Sequence, residues 1–223
     1  IYVKPGESIA DAIRQARELR RLNDPSIEGG ITIHVAAGNY RIYEPLFLRP
    51  EDSGTPSSPT IIKGEGEVIV SGGVTVTGWK RQGKLMVADA PDFCGRPLDF
   101  RQFYVNGKKA VRARDVADFE DMYRIIRVDK QKRVLWVPAA AVRKIQKAPY
   151  AEMVLHEMWC VANLRIKDIM FAGDSAAVSF HDPESRIQFE HPWPCPMVTT
   201  DGHNSAFYLT NARELLDVPG EWY

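Results

Sequence analysis

The sequence has 223 residues, 44% hydrophobic and 26% charged, with a formal net charge of +0. That length suits one large or two small domains with a sizeable core, and nothing in the neutral balance suggests a polyanion-binding surface such as nucleic acid demands, so no nucleic-acid partner is expected. No apolar run reaches the ~20 residues needed to span a bilayer, so no membrane span is expected. Cys94, Cys160 and Cys195 are an odd, sparse set without C-x-x-C spacing, which argues against a disulfide framework or a structural zinc site. Cys160, inside M-W-C-V-A, reads as a buried small hydrophobe, and a single Cys94–Cys195 bridge stays open.

In chain order, Ile1–Val3 is a short strand candidate followed by a Pro5-Gly6 turn. Ser8 opens a capping-box-like S-I-A-D, and Ile9, Ala12, Ile13, Ala16 and Leu19 follow at helical spacing. Asn23, Asp24, Pro25 and Gly29-Gly30 end that helix, which is expected to act as a structural lid. From Ile31 to Trp79, short β-branched runs (Ile31–Val35, Leu46–Leu48, Ile61–Lys63, Val68–Val70, Val74–Val76) alternate with turn residues. The runs are too close for helical crossovers, and no tight Asn-Gly or Asp-Gly turn divides them. Forward-winding coils, as in a right-handed parallel β-helix, are the expected solution.

Asn106-Gly107 then supplies a hairpin signal between Phe100–Val105 and Ala110–Arg114. Tyr123–Val128 and Arg133–Val137 suggest a second hairpin, and Pro138–Lys147 a short helix. Asn163–Ile169, Phe171–Phe180 and Ile187–Phe189 read as strands returning to the coils, and His191–Met197, with three prolines, as an irregular loop. The expected fold is therefore mainly β: cap helix and first β-helix coils over 1–97, an inserted antiparallel β subdomain over 98–166, and a return to the coils over 167–223.

Three segments carry a family resemblance: G-N-Y-R-I-Y-E-P-L-F-L at Gly38–Leu48 with T-I-I-K-G-E-G-E-V-I-V-S-G-G at Thr60–Gly73, F-R-Q-F-Y-V-N-G-K-K-A-V-R-A-R at Phe100–Arg114, and Gly202–Tyr223. The chain resembles the N-terminal portion of bacterial right-handed β-helix carbohydrate-active enzymes, similar to glycoside hydrolases of the fucosidase/xylanase type. The resemblance implies a polysaccharide or oligosaccharide substrate and a secreted, periplasmic or cell-surface location. It also implies catalytic acids on later coils, beyond Tyr223, so no catalytic position is assigned here. The remaining coils of the parent chain would then be its structural partner.

Glycoside cleavage needs two facing carboxyl groups, about 5–5.5 Å apart for retention or about 6.5–9.5 Å for inversion. Glu157, Asp182, Glu184, Glu190 and Asp201 are available, none with a signature that separates it from a solvated carboxylate. His156-Glu157 beside Trp159 could exchange protons, yet strand alternation puts the two on opposite faces. Trp193, held among prolines, and Gly202-His203-Asn204 are placed for sugar contact on loops; Trp193 could equally pack beneath its own loop. The candidate binding residues are Trp193, His203, Asn204, His156 and Glu157. Neither metal nor cofactor is expected: phosphate-loop, G-x-S-x-G and EF-hand patterns are absent, and His156-Glu157 lacks the second histidine of H-E-x-x-H.

Three functions compete: a β-helix glycoside hydrolase using a carboxylate pair, a polysaccharide lyase with Arg112 and Arg114 as a cationic clamp, and a non-enzymatic glycan-binding or adhesion module. Ile1 is not an initiator Met, which reads as a processed or cut chain. Glu221-Trp222-Tyr223 reads as half a strand awaiting a partner. The expectation is that these residues alone hydrolyse no glycoside and are marginally stable or self-associate through an open C-terminal end.

Overall fold

The computed structural model describes residues 1–223 and divides them into two compact units, Ile1–Leu98 and Asp99–Tyr223. In the first unit, β1 (Tyr2–Val3), β2 (Ile31–Arg41) and β3 (Thr60–Ser71) form a three-stranded parallel sheet in sequence order. Helix α1 (Ile9–Arg21) starts where expected: the Ser8 side chain accepts the Asp11 N–H at 3.1 Å. Its Ile9, Ala12, Ile13 and Ala16 pack on the alternate residues Ile31, Ile33 and Val35 of β2, so a period of 3.6 meets a period of 2.

Two arginines of α1 hold the loop after β2 down. Arg17 donates to Asp52 at 2.8 and 2.7 Å and to the Phe47 carbonyl at 3.0 Å. Arg20 donates to Thr60 Oγ1 and the Ser58 carbonyl, both at 2.8 Å. The Arg17 hydrogen bond holds the Asp52 carboxyl below the usual carboxylate range. The unfolded chain therefore binds that proton more readily, and the stability this pair contributes is lost as pH falls below the ordinary Asp pKa. Asp52→Asn is expected to flatten that acid limb, as checked by urea midpoints between pH 7 and pH 3. Gly30, at φ +106°, is required by close approach: a Cβ there would lie 2.7 Å from the Pro59 carbonyl oxygen.

No β-helix solenoid is present. Parallel pairing ends at three strands, and the next two pairs of the unit are small and antiparallel: β4 (Lys80–Gln82) with β5 (Leu85–Val87), and β6 (Asp92–Phe93) with β7 (Arg96–Pro97). Leu46–Leu48 and Val74–Val76 lie outside the strands, whereas Ile61–Lys63 and Val68–Val70 belong to one continuous strand. Pro45 and Pro50 remove backbone donors around the first run, and Arg17 takes the carbonyl of Phe47.

The second unit opens with β8 (Tyr104–Val105) and β9 (Lys108–Lys109), joined by Asn106 and Gly107 at φ 51° and 75°, as a type I′ turn requires. Its body is a seven-stranded antiparallel sheet. The strands are β10 (Tyr123–Arg124), β11 (Arg127–Asp129), β12 (Val134–Pro138), β13 (Glu152–His156), β14 (Val161–Ala172), β15 (Ser175–Phe180) and β16 (Ala206–Thr210). They lie in the order β10-β16-β13-β14-β15-β12-β11. Between them sit α2 (Ala139–Val142) and α3 (Glu184–Glu190). Met153, Leu155, Leu164, Phe207 and Leu209 are buried at alternate positions of the three central strands.

The expected return to coils over 167–223 is therefore corrected: β14, β15 and β16 are members of this antiparallel sheet. Ile187–Phe189 is helical, because Ser185, Gln188 and Phe189 are buried at i, i+3 and i+4 while Ile187 faces out. Trp222 has partners within these residues. It pairs with Arg112 and stacks on Phe100 with ring centroids 5.1 Å apart. All three cysteines are free thiols. No helix is long and apolar enough to cross a membrane.

Candidate functional site: the outer face of the seven-stranded sheet

Alternation that buries Met153, Leu155, Phe207 and Leu209 turns their neighbours to the opposite face. The register sets these neighbours in rows across β16, β13 and β14: Thr210, Glu152 and Arg165, then Tyr208, Val154 and Asn163, then Ala206, His156 and Val161. Arg114, bridged to Thr210, and Arg124, opposite Ala206 on β10, extend the first and third rows on the side of β16 away from β13.

The first row is a closed charge network. Glu152, 3% exposed, accepts both guanidinium ends of Arg101 and Nη1 of Arg112 at 3.2 Å. Arg112 also lies 5.3 Å from the Trp222 ring centre. Arg165 is engaged by Glu184, with one contact at 2.7 Å, and by the Asp182 carbonyl at 2.9 Å. Apart from Arg112 Nε, which is buried without a partner, these groups satisfy one another, and we assign them a structural role.

In the other rows Val154 and Ala206 are buried too, while Tyr208 and His156 are half-buried and Asn163 and Val161 exposed. The Arg114 guanidinium lies 5.7 Å from the Tyr208 ring centre, and Arg124 lies 4.8 Å from that of Phe119. His156 ends β13, edge-on to Phe119 at 5.6 Å and 6.0 Å from the Tyr208 ring, with its Nε2 buried and unpartnered. Burial first, and then the Arg124 charge, lower its pKa. The unfolded state thus binds that proton more readily, so this histidine's contribution to stability is full above its ordinary pKa and falls as pH drops. An NMR titration of the His156 ring should give a midpoint below the usual ~6.5, moving upward in Arg124→Ala.

Glu157, one residue on, leaves that face. Its N–H closes a turn onto the Cys160 carbonyl at 2.9 Å, and its Oε2 accepts the Cys160 S–H at 2.9 Å. The other carboxyl oxygen is buried without a partner, and burial raises the Glu157 pKa. Burial together with this carboxylate pushes the Cys160 thiol up to about 11, so it is a poor nucleophile at neutral pH. At the tip of the turn, Met158 and Trp159 project into solvent, with Trp159 75% exposed.

The remaining candidates lie in the loop that leads into β16. Asn204 is a strap: its amide donates to the Ile125 carbonyl at 2.8 Å and accepts the Thr199 N–H at 2.9 Å. His203 is exposed and paired with Asp201 at 3.1 Å. Trp193 is partly exposed, and its N–H reaches His191 Nδ1 at 3.3 Å. Because Ala206 pairs with His156, Asn204 and His203 enter at the same end of the sheet as the Glu157–Cys160 turn.

Four of the five candidate carboxylates are occupied. Asp182 accepts the Arg186 N–H at 3.2 Å, Glu184 engages Arg165, Glu190 pairs with Arg133, and Asp201 pairs with His203. Glu157 differs in keeping one buried oxygen without a partner.

Residues 83–223 match the GH141 insertion domain. The chain belongs to that family. A solved structure described as a glycoside hydrolase is 61% identical over 100% of this chain, with a TM-score of 0.83. The chain spans 41% of that protein's length, and no curated protein matches it. The resemblance to carbohydrate-active glycoside hydrolases therefore stands. In this GH141 insertion domain, sequence reasoning singles out His156 but not Arg124, Tyr208 and Asn163, which the register sets on the same face. The alternation in A-F-Y-L-T and V-A-N-L-R would have shown Tyr208 and Asn163 sharing a face with His156, given the strand register.

Proposed function

We propose that this chain is a carbohydrate-contacting part of a polysaccharide-degrading glycoside hydrolase. The glycosidic bond is cleaved by a carboxylate pair that the parent enzyme supplies outside these residues. The full-length likeness to a longer glycoside hydrolase carries this reading. Its physical support is a solvent-facing indole at Trp159, whose flat apolar ring suits the apolar face of a sugar. The carboxylates within reach are committed to ion pairs, a helix end or the protein interior, whereas hydrolysis needs two that face a common bond.

The test uses the 223-residue chain with neutral and acidic oligosaccharides, read by calorimetry and by release of reducing ends. Binding without release is expected, with Trp159→Ala weakening it by about tenfold. Reducing ends released by the chain itself, or no binding to any sugar, would overturn the reading.

A further inference from the structure

We propose that the outer face of the seven-stranded sheet binds an acidic glycan, with Arg114 and Arg124 each receiving the carboxylate of a different uronic acid residue. The inference rests on the carbohydrate-contacting reading and gives it a substrate class.

The register puts Arg114, Tyr208, Arg124, His156 and Asn163 on one face, opposite the hydrophobic core. Arg114 and Arg124 differ from the other arginines of this face because neither has a carboxylate partner. Arg101 and Arg112 are neutralised by Glu152, and Arg165 by Glu184. Arg114 lies over the Tyr208 ring and Arg124 over Phe119, where Nη1 donates to the Met122 carbonyl at 2.8 Å and Nη1 and Nη2 reach the Phe119 carbonyl at 3.4 and 3.5 Å. A guanidinium held this way has already given up much of its rotamer freedom. The N–H groups left over, the Nε–H of Arg124 among them, are donors of the kind a carboxylate accepts.

Spacing argues for an oligomer. Arg114 is opposite Thr210 and Arg124 opposite Ala206, four residues apart along β16, or about 13 Å at ~3.3 Å per residue. Arginines rooted that far apart suit two carboxylates on a chain of sugars better than a single one. Between them, the Tyr208 ring offers an apolar surface. The exposed Asn163 amide lies in the row of Tyr208 and is available to sugar hydroxyls, while His156 lines the adjacent row.

The experiment titrates the 223-residue chain with tetragalacturonate, galacturonic acid, the carboxyl-reduced tetramer and a polyphosphate of matched charge. Tetragalacturonate should bind, and the other three should bind at least about tenfold more weakly. Arg114→Gln and Arg124→Gln, each confirmed folded by an unchanged thermal midpoint, should each weaken the tetramer by about tenfold. If either variant fails to fold, the wild-type Tyr208 and His156 NMR signals must move with tetragalacturonate and stay in place with the reduced tetramer. Equal binding of the reduced tetramer or of polyphosphate would overturn the inference, as would unchanged affinity in both arginine variants. Loss of affinity in Trp159→Ala for neutral sugars, with no response to tetragalacturonate, would overturn this inference alone and leave the carbohydrate-contacting reading in place. No binding to any sugar would overturn both.

Discussion

Glu152→Ala is expected to be among the most damaging single changes in the second unit, at about 3–5 kcal/mol, the range for breaking a buried ion pair by removing one partner. The carboxylate is almost wholly buried at the centre of the sheet and answers two guanidiniums, Arg101 and Arg112. Burial already lowers the Arg112 pKa, with the Glu152 charge the largest opposing effect. Without that charge, the buried cation is left against the Trp222 ring, its Nε already lacking a partner. For a unit of this size the loss corresponds to a fall in Tm of roughly 10–15 °C. Thermal unfolding followed by near-UV circular dichroism checks it. A loss below about 1 kcal/mol would mean that the network behaves as a solvated surface pair.

Phe207→Ala and Tyr208→Ala, adjacent residues of one strand, are expected to separate folding from function. Phe207 is fully buried at the centre of the core, beside Leu155 in register, and its truncation should cost about 3–5 kcal/mol. Tyr208 faces outward and packs against Arg114 and His156, so its truncation should cost about 1 kcal/mol or less. Denaturant midpoints for the two variants provide the check. Similar losses would mean that the outer face is itself a core, leaving no surface for a ligand.

Local features are legible in the sequence where one residue type settles the backbone. Ser8 marks the helix start, and Asn106-Gly107 marks a hairpin, because a cap oxygen and a pair of positive φ angles are local requirements. The segment after Ile31 is harder to read, because parallel pairing over the first three strands is compatible with either a short sheet or a long solenoid. The choice between the two depends on contacts that no local pattern contains. The prolines flanking Leu46–Leu48 and the tether from Arg17 decide against a further strand there.

The site is legible only in part, for the same reason. His156 is visible as a titratable group next to Trp159, but its companions arrive from β10, β16 and the segment before β10, brought together by register. Asn204 carries a structural duty the sequence does not show. In a Gly-His-Asn loop it reads as a ligand contact, and in the fold each end of its amide also makes a hydrogen bond that holds the loop, to Ile125 and Thr199.

The central claim, that this chain contacts carbohydrate through the outer face and the adjoining turn, is tested most directly by the indole N–H signals of its five tryptophans during an oligosaccharide titration. The solvent-facing Trp159 should shift in proportion to occupancy. Trp136 and Trp222, whose indole nitrogens are buried, should hold their positions, and the sugar should be recovered uncleaved. A Trp159 signal that stays fixed at saturating sugar, or cleavage of the oligosaccharide during the titration, would contradict the account.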